Sequence, residues 1–208
     1  MYLPAHFDEC DDDEIRRIVS AHPLATIVYS TPSGVDAQHI PLIFDGERRL
    51  IGHFAADSDA LDKLHDGDSV LAIFNGQCSY VSPNWYPGKI RHHRHVPTWN
   101  YQVVHIHGQV SFLMSKKEKT AVVGKLTTHF ERRANGPDAW KMADAPADFI
   151  QEMLGKIAPF AITVERTVAK SKVSQNRERE DFDAVRSKME SAGHEELAQR
   201  IKRLEENL

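Results

Sequence analysis

The sequence has few cysteines and no long apolar run. Its two cysteines, Cys10 and Cys78, lie far apart without a Cys-x-x-Cys pair, which argues against a disulfide framework and a cysteine zinc site. No stretch is long and apolar enough to predict a transmembrane helix, and the acidic N-terminal segment lacks the pattern of a signal peptide. We therefore expect a cytoplasmic protein that does not bind a membrane.

Positive charge is not in excess either. The 26 lysines and arginines stand against 30 aspartates and glutamates, which gives a formal net charge of −4 at pH 7 with neutral histidines. This balance does not predict a general nucleic-acid-binding surface. The hydrophobic fraction of 41% over 208 residues is sufficient for the core of one ordinary domain.

Short β-rich segments separated by turn signals make up most of the chain. The pattern predicts strands over residues 24–29, 37–44, 50–55, 70–74, 101–112 and 157–168. It predicts helices before Pro23, from Ser58 to about residue 65, over 116–130 and over 149–154. Six or seven strands with few helices between them favour a closed antiparallel barrel, so we expect a mainly β (α+β) fold with peripheral helices.

The C-terminal segment has a different character. From residue 178 the pattern predicts a charged helix that breaks at Gly193 and resumes, and we expect domains over residues 1–177 and 178–208. An apolar stripe follows the second helix at Leu197, Ile201, Leu204 and Leu208. Because this helix mixes basic residues with four glutamates, we interpret the pair as a packing or dimerisation hairpin rather than a DNA-reading helix-turn-helix.

The segment over residues 80–101 is rich in rigid and aromatic residues. It contains five of the eight tryptophans and tyrosines of the chain, three prolines, and a basic tract over residues 89–95. Flat, amphipathic side chains on a stiff backbone beside positive charge suit a planar, anionic aromatic ligand. A rigid, well-packed surface loop explains the same composition, and the residues by themselves leave both interpretations open.

Some histidines and serines could bind a metal or act as nucleophiles, but the sequence lacks the partner residues that these functions require. His105 and His107 share one strand face and could chelate a metal, but no cysteine or carboxylate stands at a supporting spacing, so we predict no metal site. Ser79 and Ser82 lie outside a Gly-x-Ser-x-Gly nucleophile elbow. We therefore assign no catalytic residue, and enzymatic activity stays an open question.

Several motifs resemble those of the PaiB-like family of FMN-binding negative transcriptional regulators. They are MYLPAHF (1–7), HIPL (39–42), GHFA (52–55), YVSPNWY (80–86), VPTWNY (96–101), VHIHG (104–108) and KVSQNR (172–177). Trp140, residues 157–162 and Asp181 continue the resemblance, which covers almost the whole chain. It implies an FMN-binding split β-barrel of the pyridoxamine 5′-phosphate oxidase type, a homodimer, and FMN sites at the subunit interface.

The resemblance also implies which residues contact FMN. On one subunit these are His39, Pro41, Gly52, His53, Phe54, Ala55 and Ser58, the last at a helix N-terminus that suits a phosphate. The second subunit is expected to supply Trp85, Trp99, Asn100, Gln175, Asn176 and Arg177, and the cations for the phosphate are Lys89, Arg91, Arg94 and Lys172. Residues 56–61 depart from the family pattern, which usually has a short segment ending in Asn-Pro and an aromatic residue here. Asp57 and Asp59 would repel a dianion unless their side chains point away.

Two functional classes follow. The first is an FMN-binding homodimeric regulator of transcription that contacts DNA directly or acts indirectly. The second is a flavin-dependent oxidoreductase, either pyridoxamine 5′-phosphate oxidase-like or a flavin or quinone reductase, since the cofactor itself performs the redox chemistry. Haem binding by the histidine-rich loops is a further, minor alternative.

Overall fold

The fold is mainly β, as the sequence predicts. The computed structural model describes residues 1–206, so Leu208 of the predicted apolar stripe lies outside the described residues. The strands are β1 (Leu24–Thr31), β2 (Gly34–Pro41), β3 (Ile43–Phe44), β4 (Arg49–Ala55), β5 (Ser69–Val81), β6 (Thr98–Phe112) and β7 (Ile157–Lys172). They form one seven-stranded sheet in the order β2-β1-β5-β6-β7-β4-β3.

Six α-helices accompany the sheet in the described part of the chain. They are α1 (Asp12–Ala21), α2 (Gly88–His92), α3 (Lys116–Asn135), α4 (Ala147–Gly155), α5 (Arg179–Ser191) and α6 (Glu195–Glu205). None of these helices is long and apolar enough to cross a membrane. The predicted break at Gly193 is confirmed, since this glycine lies between α5 and α6 with a φ of +77°.

The predicted strands are too short at several ends. β5 continues to Val81 and β7 to Lys172, seven and four residues beyond the predicted ends at 74 and 168. The predicted helix from Ser58 to residue 65 is wrong in length, because only a 3-10 turn over Asp59–Asp62 forms after the Ser58 cap. The chain leaves the helical path where the His65 N–H donates to the Asp68 carboxylate over 2.7 Å.

The described chain divides into two compact units. Unit 1 comprises residues 1–22, 74–105 and 168–206, and unit 2 comprises residues 23–73 and 106–167. Strands β5, β6 and β7 contribute residues to both units. The predicted boundary at residues 177 and 178 stays a prediction.

In unit 2, close packing favours glycine at two positions. A Cβ on Gly108 would lie 2.2 Å from the Thr163 carbonyl oxygen, and one on Gly52 would lie 2.5 Å from Leu42 Cδ2 and 3.1 Å from the Pro41 oxygen. The glycine at position 52 of the GHFA motif is thus explained by packing between β4 and the end of β2. On the other face of β4, Ile51 packs against α3 through Val122 and Leu126.

In unit 1, the two C-terminal helices pack together through their apolar faces. Phe182, Val185 and Met189 of α5 form one cluster with Leu197 and Ile201 of α6. Val81, Tyr86, Val173 and Ala198 complete the buried part of this cluster. This packing fits the interpretation of the pair as a hairpin that covers a core.

A buried polar network attaches α1 and α6 to the strands of unit 1. Glu14 accepts hydrogen bonds from Arg17 over 2.8 Å, from Gln102 over 2.7 Å and from Arg203 over 2.8 Å. Glu9 accepts from Arg200 over 2.7 Å. Burial by itself would raise the pKa of Glu14, but the hydrogen bonds from Arg17 and Gln102 and the charges of Arg17 and Arg203 lower it overall.

Glu14→Gln is expected to destabilise the protein at neutral pH. Removing this buried carboxylate takes one acceptor from both Arg17 and Arg203, while Arg17 keeps its ion pair with Glu196 over 3.2 Å. The expected cost is roughly 1.5–3 kcal/mol, that of a hydrogen bond to a charged group. Because the pKa of Glu14 is lowered in the folded state, its contribution is present above the ordinary glutamate pKa and is lost as the pH falls through the lowered value. Urea unfolding at pH 7 and below pH 4 should show a large difference from wild type at the first pH and a smaller one at the second. Glu190→Gln on the exposed face of α5 is the control, and an equally small effect of both substitutions would contradict the prediction.

Candidate functional site: a cationic turn beside an exposed tryptophan

The KVSQNR motif forms a tight turn at the end of β7 in unit 1. Ser174 adopts left-handed backbone conformation with a φ of +69°. The Gln175 side chain accepts from the Val173 N–H over 2.8 Å and donates to the Ser171 carbonyl over 2.5 Å. The Arg177 N–H closes the turn on the Ser174 carbonyl over 3.0 Å. Gln175 therefore shapes the turn and uses its polar atoms within it.

Asn100 holds the same turn from the neighbouring strand. Its side chain is fully buried, and it exchanges hydrogen bonds with the Ser174 hydroxyl over 3.0 and 3.1 Å. A residue at positive φ is strained unless the surrounding structure holds it in place. Asn100 therefore has a structural role, whereas the exposed Asn176 at the tip of the turn remains open to a ligand.

Three cations, Lys170, Lys172 and Arg177, lie at or near this turn. Lys172 is half-buried and donates to the Thr98 hydroxyl. Lys170 is buried, donates to the Tyr2 carbonyl over 3.2 Å, and lies 5.4 Å from the centroid of the Tyr101 ring. Arg177 lies 5.2 Å from the Tyr86 ring centroid. Within residues 1–206, Lys170, Lys172 and Arg177 form no ion pair.

The electrostatics of this cluster favour an anion. Burial lowers the pKa of Lys172, and the positive charges of Lys170 and Arg177 lower it further. A bound phosphate would relieve the repulsion between the three cations and form charge-assisted hydrogen bonds with them. The donor set therefore fits the dianionic phosphate of FMN.

An aromatic surface on strands β5 and β6 completes the candidate site. Trp99 is 54% exposed and makes an edge contact with Tyr80, with 6.0 Å between the ring centroids. Trp85, which the sequence also suggests as a ligand contact, is partly buried and packs against the core cluster of α5 and α6. Trp99 thus offers a free ring face for stacking, and Trp85 supports the segment from inside.

Two cations of the basic tract, Arg91 and Lys89, already bind side chains of unit 1. Arg91 forms ion pairs with Glu178 over 3.0 Å and with Glu180. Lys89 donates to the side-chain oxygen of Asn84. The charge of Arg91 is therefore already balanced within unit 1, and its carboxylate partners disfavour a phosphate beside it.

The buried Asp181 fixes the short helix α2. Its Oδ1 accepts from the Gly88 N–H over 2.8 Å, and its Oδ2 lies 3.1 Å from His95 Nε2. The His95 ring stacks on Tyr86 with 4.6 Å between centroids. Asp181 and His95 therefore hold the aromatic segment in place.

The side chains of the expected FMN contacts of unit 2 do not share one face of the sheet. Gly52 and Phe54 are buried in the interior, where Phe54 stacks on Phe160 with 4.5 Å between centroids. His53 and Ala55 point to the opposite face of β4 and are exposed. His39 and Pro41 lie on the outer face of β2, where His39 Nδ1 contacts the Thr26 hydroxyl over 3.1 Å. Within unit 2, the side chains of His53, Ala55, His39 and Pro41 are therefore exposed, whereas Gly52 and Phe54 are buried.

In residues 56–61, which depart from the family pattern, the negative charge of Asp59 is partly neutralised by Lys63. Lys63 contacts the Asp59 carboxylate over 2.7 Å and the Asp36 carboxylate over 2.8 Å, and these hydrogen bonds raise the pKa of Lys63. The Ser58 hydroxyl accepts from the Ala60 N–H over 3.3 Å. Asp59 is thus directed to a lysine, and the Ser58 oxygen is used as a cap.

The sequence interpretation omitted Lys170. Alternation along a strand places residues 170 and 172 on the same side of β7, so the spacing of the two lysines was a usable signal. The prediction missed Lys170 because the predicted strand ended at residue 168, four residues before the end of β7 at Lys172.

Comparisons with known proteins place the chain in a family. Residues 1–166 match the protein family described as "Putative FMN-binding domain". The chain is 30% identical over 211 residues to the "Protease synthase and sporulation protein PAI 2" of Bacillus subtilis, with 100% of this chain and 98% of that protein covered. It is 32% identical over 247 residues to an uncharacterized protein of Aspergillus fumigatus, with 94% and 93% covered.

Solved structures show the same fold at low identity. The FAD and heme binding protein of Mycobacterium smegmatis matches with a TM-score of 0.59 and 16% identity, covering 85% of this chain and 79% of that one. The flavocytochrome Anf3 of Azotobacter vinelandii matches with a TM-score of 0.59 and 11% identity, covering 85% and 75%. The split-barrel fold expected from the sequence is confirmed. The chain belongs to the family of putative FMN-binding domains, it is a PaiB-like flavin-binding protein, and its cofactor is FMN.

Proposed function

We propose that this protein is a homodimeric, FMN-binding negative regulator of transcription in which the flavin is a sensor or a structural ligand. The cluster of Lys170, Lys172 and Arg177, which has no carboxylate partner in residues 1–206, carries the flavin part of the proposal. The regulatory part is supported by the full-length similarity to the Bacillus subtilis protein, whose name refers to protease synthase and sporulation.

Lys172 and Arg177 hold the FMN phosphate in this proposal, with Lys170 behind them as an additional positive charge. The exposed face of Trp99 stacks on the isoalloxazine ring, and Asn176 at the tip of the turn hydrogen-bonds the polar side of the ligand. Bound FMN supplies redox chemistry that the protein's own side chains lack. The chain's own residues bind the phosphate, orient the ring and exclude water from one ring face.

Incubation with FMN, desalting and an absorbance spectrum test the flavin part directly. A retained flavin band supports the proposed FMN site, and a colourless protein would contradict it.

Retention of DNA at moderate salt tests the regulatory part of the proposal, by comparing fragments from the protein's own genomic neighbourhood with random DNA. Arg94→Ala is the informative variant there, because Arg94 is exposed on the basic tract whereas Arg91 is ion-paired.

Lys172→Gln is expected to weaken FMN binding roughly 10- to 100-fold, because one charge-assisted hydrogen bond contributes about 1.5–3 kcal/mol. Riboflavin has the same ring without the phosphate, so its affinity should not change. Flavin fluorescence titration measures both constants. Lys117→Gln, an exposed lysine on α3, is the matched control. Equal FMN affinity in wild type and Lys172→Gln would remove Lys172 from the site.

Trp99→Ala should weaken FMN and riboflavin alike by about 1–3 kcal/mol, by analogy with aromatic stacking on nucleobases. Equilibrium titration of flavin absorbance measures the effect. Trp140→Ala is the control, because Trp140 is a comparably exposed tryptophan of unit 2. A loss confined to FMN, or no loss at all, would show that the ring does not stack on Trp99.

An apolar outer sheet face in unit 2 supports the homodimer. The strand register pairs Thr26 with Ile73 and Val28 with Leu71 on the face opposite the core. Val28, Leu71 and Ile73 are half-buried on this face, and Leu24 and Val35 are 61% and 76% exposed there. Thr26, Ser30 and His39 share this face, so the apolar residues form a patch beside polar ones. Such a patch is typical of an interaction site, and a twofold pair of such patches is self-complementary.

Leu71→Arg should therefore convert the dimer to a monomer, because a charge placed in an apolar interface would have to be desolvated. Light scattering after size exclusion should give a mass near 23.6 kDa for the variant and twice that for wild type. Ser33→Arg, in the exposed turn between β1 and β2, should leave the mass unchanged. A wild-type mass of 23.6 kDa at micromolar concentration would contradict the dimer.

The exposed pair of Trp99 and Tyr80 also favours a second function, since it offers an aromatic substrate a surface beside the proposed flavin. A small flavin-dependent oxidoreductase would show bleaching of the bound flavin by NADH or NADPH and reoxidation by an added quinone. Absence of turnover with a panel of electron acceptors would contradict the oxidoreductase function and favour the regulatory one.

A further inference from the structure

An apolar pocket of about 200 Å³ is lined entirely by residues of unit 2. Its walls come from α3, α4, the start of β7 and the segment between α3 and α4. Val123, Met142, Ile150, Met153 and Leu154 line it. Trp140 and Phe149 also line it and are 42% and 49% exposed, so aromatic rings frame its opening.

Polar contacts outside the lining hold these walls in place. Lys119 of α3 donates to the carbonyls of Leu154 over 3.4 Å and Ile157 over 2.7 Å, which attaches the end of α4 to α3. Glu131 of α3 accepts from the Trp140 N–H over 3.0 Å and from the Asn135 side chain over 2.8 Å. Both sides of the pocket are therefore fixed to one long helix before any ligand arrives, and preorganisation of this kind favours binding.

The size and lining of the pocket indicate which ligand it can bind. An apolar cavity of roughly 150 Å³ in another protein stays dry and binds benzene, so a volume of about 200 Å³ accommodates a benzene ring with a small substituent. Methionine side chains such as those of Met142 and Met153 adapt to the outline of a ring and make favourable sulfur–aromatic contacts.

His53 provides the polar contact in this otherwise apolar lining. Its exposed imidazole projects from β4 into the lining, and its ring has no hydrogen-bond partner within residues 1–206. An imidazole can donate to or accept from a hydroxyl group at neutral pH. We infer that this pocket is a binding site for a small, uncharged phenol, with the ring between α3 and α4 and the hydroxyl on His53.

Fluorine NMR on the full-length protein tests this site, with 4-fluorophenol and fluorobenzene as probes. A dissociation constant on the order of 0.1–1 mM is expected for 4-fluorophenol, a range typical of ligands of this size. Val123→Phe fills the pocket from α3 and should weaken both probes at least roughly tenfold, since the ring of the ligand loses its space. Ala121→Phe adds the same side chain on an exposed position of the same helix and should leave both constants unchanged.

His53→Leu tests the hydrogen bond to the hydroxyl group independently of the apolar contacts to the ring. It should weaken 4-fluorophenol about fivefold, the effect of one neutral hydrogen bond, and leave fluorobenzene unchanged. Ile150→Phe is a second filling variant in case Val123→Phe does not fold. Wild-type affinity in a folded, filled variant, or no binding by wild type up to several millimolar, would overturn the site. Because FMN is absent from the assay and His53 lies in unit 2, failure here leaves the proposed phosphate site in unit 1 untouched.

Discussion

Two buried glutamates of unit 1, Glu9 and Glu14, impose the constraint on which the rest of that unit depends. A charged group taken out of water must find opposite charge and hydrogen-bond donors, or it destabilises the fold by several kcal/mol. Arg200 satisfies Glu9, and Arg17 and Arg203 satisfy Glu14. Helix α6 is therefore held to the N-terminal segment by charge as well as by its apolar face.

This constraint decides which positive charges are left for a ligand. Arg200 and Arg203 of α6 are directed inward to glutamates, so they are not available to read DNA in the way that a recognition helix requires. Arg91 is likewise paired with the glutamates at the start of α5. In the described part of the chain, the cations at the end of β7 and in the turn after it form no ion pair, so this cluster favours an anion.

Particular residues show which structural features could be predicted from the sequence and which could not. The Ser58 cap, the break at Gly193 and the alternation of β6 follow from local rules, and the structure confirms them. Lys170 was missed because the length of β7 is set by pairing with its neighbours, which a local pattern does not contain. Asn100 resembled a ligand contact, yet its amide closes the Ser174 turn, and only the fold brings these two residues together.

The sequence by itself determined the mainly β class, the family and the cofactor, because periodicity, turn residues and contiguous motifs are local properties of the chain. The tertiary structure decided which charges are neutralised, which aromatic rings remain exposed, and that α3 and α4 enclose an apolar pocket beside His53. Those outcomes depend on residues far apart in sequence, such as Glu14 and Arg203, whose meeting is fixed only when the core packs. Desolvation then makes each pairing decisive, since a buried charge without its partner is too unfavourable to persist.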